Sequence, residues 1–167
     1  MKKVGIFFGS SMGQTKRAAK KLQTIIGKDN ADLHDIKETL PETILKYDNL
    51  VFGTSAWGVG DMQDDWEAFI DTLVELDFTG KKVALFGLGD QKEYPGSFVD
   101  GLGTLYCRFP DKSSIIGEWP LDGYTYYFSS AEKDGQFVGL ALDEVCQPRK
   151  TAGRIKKWAE IIIKGFN

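Results

Sequence analysis

The sequence has no apolar run approaching the roughly 18 residues that a membrane span needs, although 42% of its residues are hydrophobic. Its Met-Lys-Lys start leads directly into a strand-like segment, without the apolar region and small-residue cleavage site of a signal peptide. Its only two cysteines, Cys107 and Cys146, are far apart and form no CxxC or metal-ligand spacing. We therefore expect a cytoplasmic chain with no membrane partner, no disulfide and two buried thiols.

Histidine is almost absent, since His34 is the only one, and we expect it at the surface. No Ser/His/Asp or metal-binding cluster can be assembled, so nothing indicates hydrolytic or metal catalysis. The net charge of −3 argues against nucleic acid as the main partner. The charge is nevertheless uneven, because residues 54–103 carry ten acidic side chains against three lysines. This segment forms either a solvated surface or a docking surface for basic proteins.

Short apolar runs alternate with stretches whose apolar residues recur at helical spacing. The strand-like runs are residues 4–8, 33–36, 49–54, 82–87 and 114–116. Helical patterns follow the runs, one of them expected to open at Pro95 and the last near Pro148. This alternation predicts a single α/β domain over residues 1–167, a doubly wound parallel sheet with helices on both faces.

One stretch, between residues 117 and 140, interrupts the alternation. It contains β-like segments at 118–120, 124–128 and 136–138, with turn signals at Asp122-Gly123 and Asp134-Gly135. We interpret residues 118–139, approximately, as an insertion into the last strand, which residues 139–142 then complete.

The first of three chemistry-bearing loops is Gly9-Ser-Ser-Met-Gly-Gln-Thr15, which joins a buried strand to a helix. Such loops lie where doubly wound sheets bind ligands. Its backbone N–H groups and the hydroxyls of Ser10, Ser11 and Thr15 suit a phosphate at a helix N-terminus. It lacks the GK[ST] ending of a triphosphate loop and the GxGxxG dinucleotide pattern. A monophosphate fits best, and a purely structural turn stays open.

The other two loops each carry an aromatic residue among small or polar neighbours. One reads Thr54-Ser-Ala-Trp-Gly-Val-Gly60, and the other reads Leu88-Gly-Asp-Gln-Lys-Glu-Tyr94. Each aromatic alone is compatible with an ordinary surface residue. Two of them beside a phosphate loop favour a flat ring held by stacking between Trp57 and Tyr94.

At this point the sequence resembles a flavodoxin, over essentially the whole chain. IFFGSSMGQT resembles that family's FMN-phosphate loop, SAWGVGDMQDDW its Trp loop and FGLGDQKEYPGSFVDG its second flavin loop, while GLALDE matches the end of the last strand. The insertion resembles the long-chain subgroup. The resemblance implies a five-stranded sheet in the order 2-1-3-4-5 and one non-covalent FMN. It also implies a monomeric electron carrier, not an enzyme, that serves transient redox partners, reductases and acceptors, docking near the flavin edge.

The resemblance also implies which residues hold the cofactor. Residues 10–15 would hold the phosphate, Trp57 and Tyr94 would stack on the two ring faces, residues 88–91 with Asp90 would face the pyrimidine edge, and the Gly58–Val59 peptide would lie beside flavin N5. The full set is Ser10, Ser11, Met12, Gly13, Gln14, Thr15, Ser55, Ala56, Trp57, Gly58, Val59, Gly60, Leu88, Gly89, Asp90 and Tyr94. Met12, Ala56 and Leu88 replace hydroxyl residues common in the family, so we expect FMN binding that is weaker but not lost.

Three other functions compete with this interpretation. An FMN-dependent NAD(P)H:quinone oxidoreductase of the same fold is the main alternative, although such enzymes usually carry extra segments. A phospho-acceptor response regulator needs acidic residues where this chain has Gly9-Ser10 and Thr54-Ser55, so we exclude it. A module that has lost its flavin stays open because of Met12, Ala56 and Leu88.

Overall fold

The computed structural model describes residues 1–167, arranged as a parallel sheet between helices. The main strands are β1 (Val4–Phe8), β2 (Ala31–Asp35), β3 (Asn49–Trp57) and β5 (Lys82–Leu88). The shorter strands are β4 (Asp61–Met62), β6 (Ile115–Ile116), β7 (Trp119–Pro120), β8 (Glu132–Lys133), β9 (Gln136–Phe137) and β10 (Leu140–Leu142). The helices are α1 (Gln14–Ile26), α2 (Pro41–Leu45), α3 (Asp64–Val74), α4 (Asp100–Arg108) and α5 (Pro148–Gly165).

The last strand of the sheet is divided into two pieces that lie along the same neighbour. β6 pairs with β5 at Val83 and Ala84, and β10 pairs with it from Phe86 to Leu88. The chain leaves the sheet after β6 and returns to the same line at β10. With β6 and β10 counted as one strand, the sheet order β10-β5-β3-β1-β2 is the predicted order 2-1-3-4-5.

Two tryptophans anchor helices to opposite faces of the sheet. Phe86 on β5 is paired in register with Gly53 on β3, the residue after Phe52, so Phe52 and Phe86 point to opposite faces. Trp66 of α3 packs against Phe52, whereas Trp158 of α5 packs against Phe86. Both tryptophans are fully buried within a core of 40 hydrophobic residues. The sheet is therefore covered on both sides, as the continuous apolar strands predicted.

The helix predicted to open at Pro95 begins instead at Asp100. The carbonyl oxygen of Pro95 accepts hydrogen bonds from the backbone N–H groups of Tyr127 and Phe128, at 2.7 and 3.0 Å. Val99 has a left-handed φ of 49°, which prevents the helix from extending backwards. Residues 124–128 form no strand, contrary to the prediction, because these N–H groups bond to a loop and not to a neighbouring strand.

Three further predictions also need correction. Cys107 and Cys146 are exposed, since Cys107 lies off the buried face of α4 and Cys146 lies in the turn before α5. His34 is half-buried, with its ring stacked on Phe7 at 4.7 Å. β3 runs on to Trp57 and pairs with the short antiparallel β4, so part of the predicted second loop is strand. None of the helices has both the length and the apolar character needed to cross a bilayer.

Candidate functional site

A single cavity of about 230 Å³ lies at the carboxyl ends of β1, β3 and β5. Its lining residues are Ser10, Ser11, Met12, Gln14, Thr15, Ser55, Ala56, Trp57, Gly58, Leu88, Gly89, Asp90, Tyr94, Ser97 and Val145. Thirteen of the sixteen predicted residues therefore come together in one place. Gly13, Val59 and Gly60 do not line the cavity.

Ser97 and Val145 line the cavity but were not predicted. Ser97 follows the aromatic loop in the segment where a helix was expected, so its contribution depends on the irregular chain between Pro95 and Val99. Val145 follows β10. A signal for it existed, because the carboxyl end of the fifth strand opens onto the same edge of the sheet as the three loops that were considered.

The first loop presents polar groups that have no partner within the chain. α1 starts at Gln14 behind Gly13, which has a φ of 83° and provides no side-chain cap. None of the backbone N–H groups of residues 10–13 donates to another group of the chain. The buried Oγ of Ser10 also lacks a partner. Unpaired donors at the positive end of a helix dipole are the chemistry that binds an anion.

Gln63 joins the first loop to α3 through side-chain hydrogen bonds. Its Oε1 accepts a hydrogen bond from the N–H of Trp66 at the start of α3, and its Nε2 donates to Ser11 Oγ at 3.2 Å. A Cβ on Gly9 would lie 2.1 Å from Gln63 Oε1 and 2.7 Å from Trp66 Cδ1. Glycine is therefore required at position 9 by close packing.

The second loop depends on two glycines with left-handed backbone. Gly58 has a φ of 49° and Gly60 a φ of 87°. A Cβ on Gly60 would also come within 2.9 Å of Asp100 Oδ2. Trp57, the last residue of β3, precedes this turn and is 40% exposed at the cavity. The turn thus leaves an aromatic ring at the edge of the site.

The third loop is closed by the Asp90 carboxylate. Asp90 Oδ1 accepts hydrogen bonds from the N–H groups of Lys92 and Glu93, at 3.0 and 2.9 Å. Burial opposes ionisation of Asp90, but these N–H groups and the thiol of Cys146 outweigh it and lower its pKa below the ordinary value. The backbone N–H of Asp90 donates to no group of the chain. The backbone N–H of Asp90 is therefore a free hydrogen-bond donor of this loop.

Asp90, Asp143 and Cys146 lie within 4.8 Å of one another, close enough for a metal site. The oxygens of Asp143 are already occupied, however. Its Oδ2 accepts from Gln91 N and Nε2, and its Oδ1 accepts from the N–H groups of Val145 and Cys146. This cluster is therefore a hydrogen-bond network that shapes the loop.

The cavity combines a loop with unpaired hydrogen-bond donors and two aromatic residues. Met12, Ala56 and Leu88 offer no hydrogen-bonding side chain to the cavity, as the sequence indicated. Met12 is 73% exposed where it lines the cavity.

Comparison with known proteins agrees with this arrangement. The family model described as Flavodoxin matches residues 6–158. Flavodoxin 1 of Escherichia coli K12 is 47% identical, over 95% of this chain and 91% of that protein. Flavodoxin 1 of Azotobacter vinelandii is 41% identical, over 99% and 98%. A flavodoxin of Fusobacterium nucleatum, solved bound to flavin mononucleotide, superposes with a TM-score of 0.93 at 34% identity over the whole of both chains. The chain belongs to the flavodoxin family.

Proposed function

We propose that this chain binds one FMN non-covalently in the cavity and carries single electrons between redox proteins. The observation that carries the proposal is the uncapped N-terminus of α1. Its free N–H groups and the unpartnered Ser10 Oγ can donate hydrogen bonds to an anion, in a cavity that Trp57 and Tyr94 also line. Membership of the flavodoxin family and the FMN-bound relative from Fusobacterium nucleatum support the same cofactor.

The chain's own groups would divide the cofactor between them. Residues 10–15 would hold the phosphate, chiefly through backbone N–H groups, with the hydroxyls of Ser10 and Thr15 in support. Trp57 and Tyr94 would enclose the ring, and the free N–H of Asp90 would face its pyrimidine edge. The bound FMN supplies the one-electron chemistry, and the protein tunes it. Gly13, Val59 and Gly60 would then act through the backbone shape of their turns.

The charges beside the site favour a strongly reducing carrier. Asp61 precedes α3, whose first turn adds Asp64, Asp65 and Glu67. Negative charge near a flavin enclosed between aromatic rings opposes the addition of an electron that leaves the ring anionic. The same acids would draw basic reductases and acceptors into short encounters that salt weakens.

We also infer a cytoplasmic monomer built as one domain, with residues 118–139, approximately, as the insertion that distinguishes long-chain members. The inference is supported by the single hydrophobic core and by β6 and β10, which flank the insertion along the same strand. Two exposed, unpaired thiols suit a reducing compartment.

The test uses the FMN-loaded, reduced protein and ferricytochrome c, a basic one-electron acceptor. We expect rapid electron transfer whose rate falls steeply with ionic strength. Asp61→Asn should reduce that salt dependence, whereas Asp29→Asn, in the turn that follows α1, should leave it unchanged. Electron-transfer rates that do not change with ionic strength would refute electrostatic steering by these acids. Fast NAD(P)H oxidation by quinone with this protein alone would instead favour the oxidoreductase alternative.

A further inference from the structure

Asp143 is a fully buried carboxylate just beyond the end of β10, with four N–H donors directed at it. Two donors come from Gln91, whose backbone N and Nε2 lie 3.0 and 2.8 Å from Oδ2. The other two, the N–H groups of Val145 and Cys146, lie 3.1 and 2.8 Å from Oδ1. A buried carboxylate with all its acceptor positions occupied fixes the groups around it firmly. Those groups belong to two of the turns that bound the cavity.

Gln91 extends the network in the other direction. Gln91 is only 7% exposed, and its Oε1 accepts a hydrogen bond from the backbone N–H of Thr125 in the insertion at 2.6 Å. The insertion meets the same loop again at Pro95, through the N–H groups of Tyr127 and Phe128. The loop that carries Asp90 and Tyr94 is therefore hydrogen-bonded to Asp143 through Gln91, and to the insertion through Gln91 and Pro95.

We propose that Asp143 and Gln91 are positioning residues of the cofactor site, which join the loop over residues 88–94 to the insertion so that the free N–H of Asp90 and the ring of Tyr94 are in place before FMN binds. The proposal rests on the proposed function of the cavity. Neither residue lines the cavity, so both act through the loop. Preorganisation of this kind raises affinity by removing the cost of ordering the loop on binding.

Two variants test the proposal. Asp143→Asn replaces one carboxylate oxygen by an NH₂ group, which cannot accept hydrogen bonds from the N–H groups that face it. Gln91→Met keeps the shape of the side chain but removes its hydrogen bonds. Asn49→Ala is the matched control, because Asn49 is also fully buried and joins Lys2 to Asn167 at the opposite end of β3. The readouts are the FMN dissociation constant, from flavin fluorescence quenching, and amide hydrogen exchange of the apoprotein.

We expect Asp143→Asn to weaken FMN binding by at least about tenfold, as lost hydrogen bonds to a charged group predict. Gln91→Met should weaken it by about threefold to tenfold. In both variants, exchange at the amides of Gln91 and Thr125, which donate to Asp143 and to Gln91, should accelerate more than elsewhere in the chain. Asn49→Ala should lower the midpoint of urea unfolding while the dissociation constant stays as in the wild type.

The proposal fails if the three variants lose FMN affinity only in proportion to their loss of stability. It also fails if exchange at Thr125 is unchanged in Gln91→Met, which is the milder variant and the one to use should Asp143→Asn not fold. A wild-type protein that does not bind FMN would overturn the proposed function instead. In that case hydrogen exchange in the apoprotein still decides whether Asp143 and Gln91 order the loop.

Discussion

Adding one methyl group at position 9 tests how the first loop is held. In Gly9→Ala the new Cβ would lie 2.1 Å from Gln63 Oε1 and 2.7 Å from Trp66 Cδ1. Both distances are shorter than a Cβ atom tolerates to a non-bonded neighbour. Gln63 must move, because Trp66 is fully buried. It would then lose its hydrogen bonds to Trp66 N and Ser11 Oγ. Two lost hydrogen bonds and overpacking of the core together predict a destabilisation of about 2–4 kcal/mol.

The assay is urea unfolding of the apoprotein, followed by FMN titration of each variant. Gly9→Ala should also bind FMN at least about fivefold more weakly, because Ser11 is no longer fixed. Gly153→Ala is the control. Gly153 is an exposed residue of α5 with nothing within 4 Å of an added Cβ, so this change should stabilise the chain by about 0.5–1 kcal/mol. It should leave FMN binding unchanged.

A double-mutant cycle identifies the clash responsible. Gln63→Ala removes the obstructing side chain, so adding Gly9→Ala in that background should cost at least about 1 kcal/mol less than in the wild type. Strictly additive free energies would show that Gly9 and Gln63 do not interact. A wild-type-like stability of Gly9→Ala alone would show that the added Cβ meets no close neighbour.

Two smaller predictions address single side chains. Met12→Thr should tighten FMN binding by about tenfold, because the threonine hydroxyl can donate a hydrogen bond to the charged phosphate. Met12→Val, which has the shape of threonine without the hydroxyl, should not tighten it. Equal affinities of the two variants would show that the loop has compensated. Burial lowers the pKa of His34 from its ordinary 6.5. The unfolded chain therefore binds the proton more readily than the folded chain does. The stability contributed by neutral His34 is lost as the pH falls below 6.5. Urea midpoints at pH 7.5 and 5.5 should therefore differ more in the wild type than in His34→Gln, and an equal difference would exclude this role.

The site was largely predictable because its loops are determined locally. Buried strands ending in small and polar residues place Ser10, Trp57 and Gly89 at one edge of a parallel sheet, whatever the details of packing. The alternation of strands and helices predicted a doubly wound parallel sheet, and the resemblance to the family implied the strand order. The cavity brings those residues together, as expected.

What the sequence did not predict depends on contacts between distant segments. Nothing around Gln63 indicates that it would cap α3 and also reach Ser11, 52 residues away. The irregular chain after Pro95 is set by hydrogen bonds from the insertion, and local helix propensity cannot register them. Asp143 and Gln91 look like ordinary polar loop residues until the fold joins them, also across 52 residues.

Paired titrations decide whether the uncapped N-terminus of α1 holds the phosphate of FMN. Purified apoprotein is titrated with FMN and, separately, with riboflavin, which has the same ring but no phosphate. We expect FMN to bind one to one with quenched fluorescence, and riboflavin to bind at least about a hundredfold more weakly, since several N–H donors would lose a charged partner. Equal affinity for both ligands, or no quenching of either, would show that these N–H groups do not hold the phosphate.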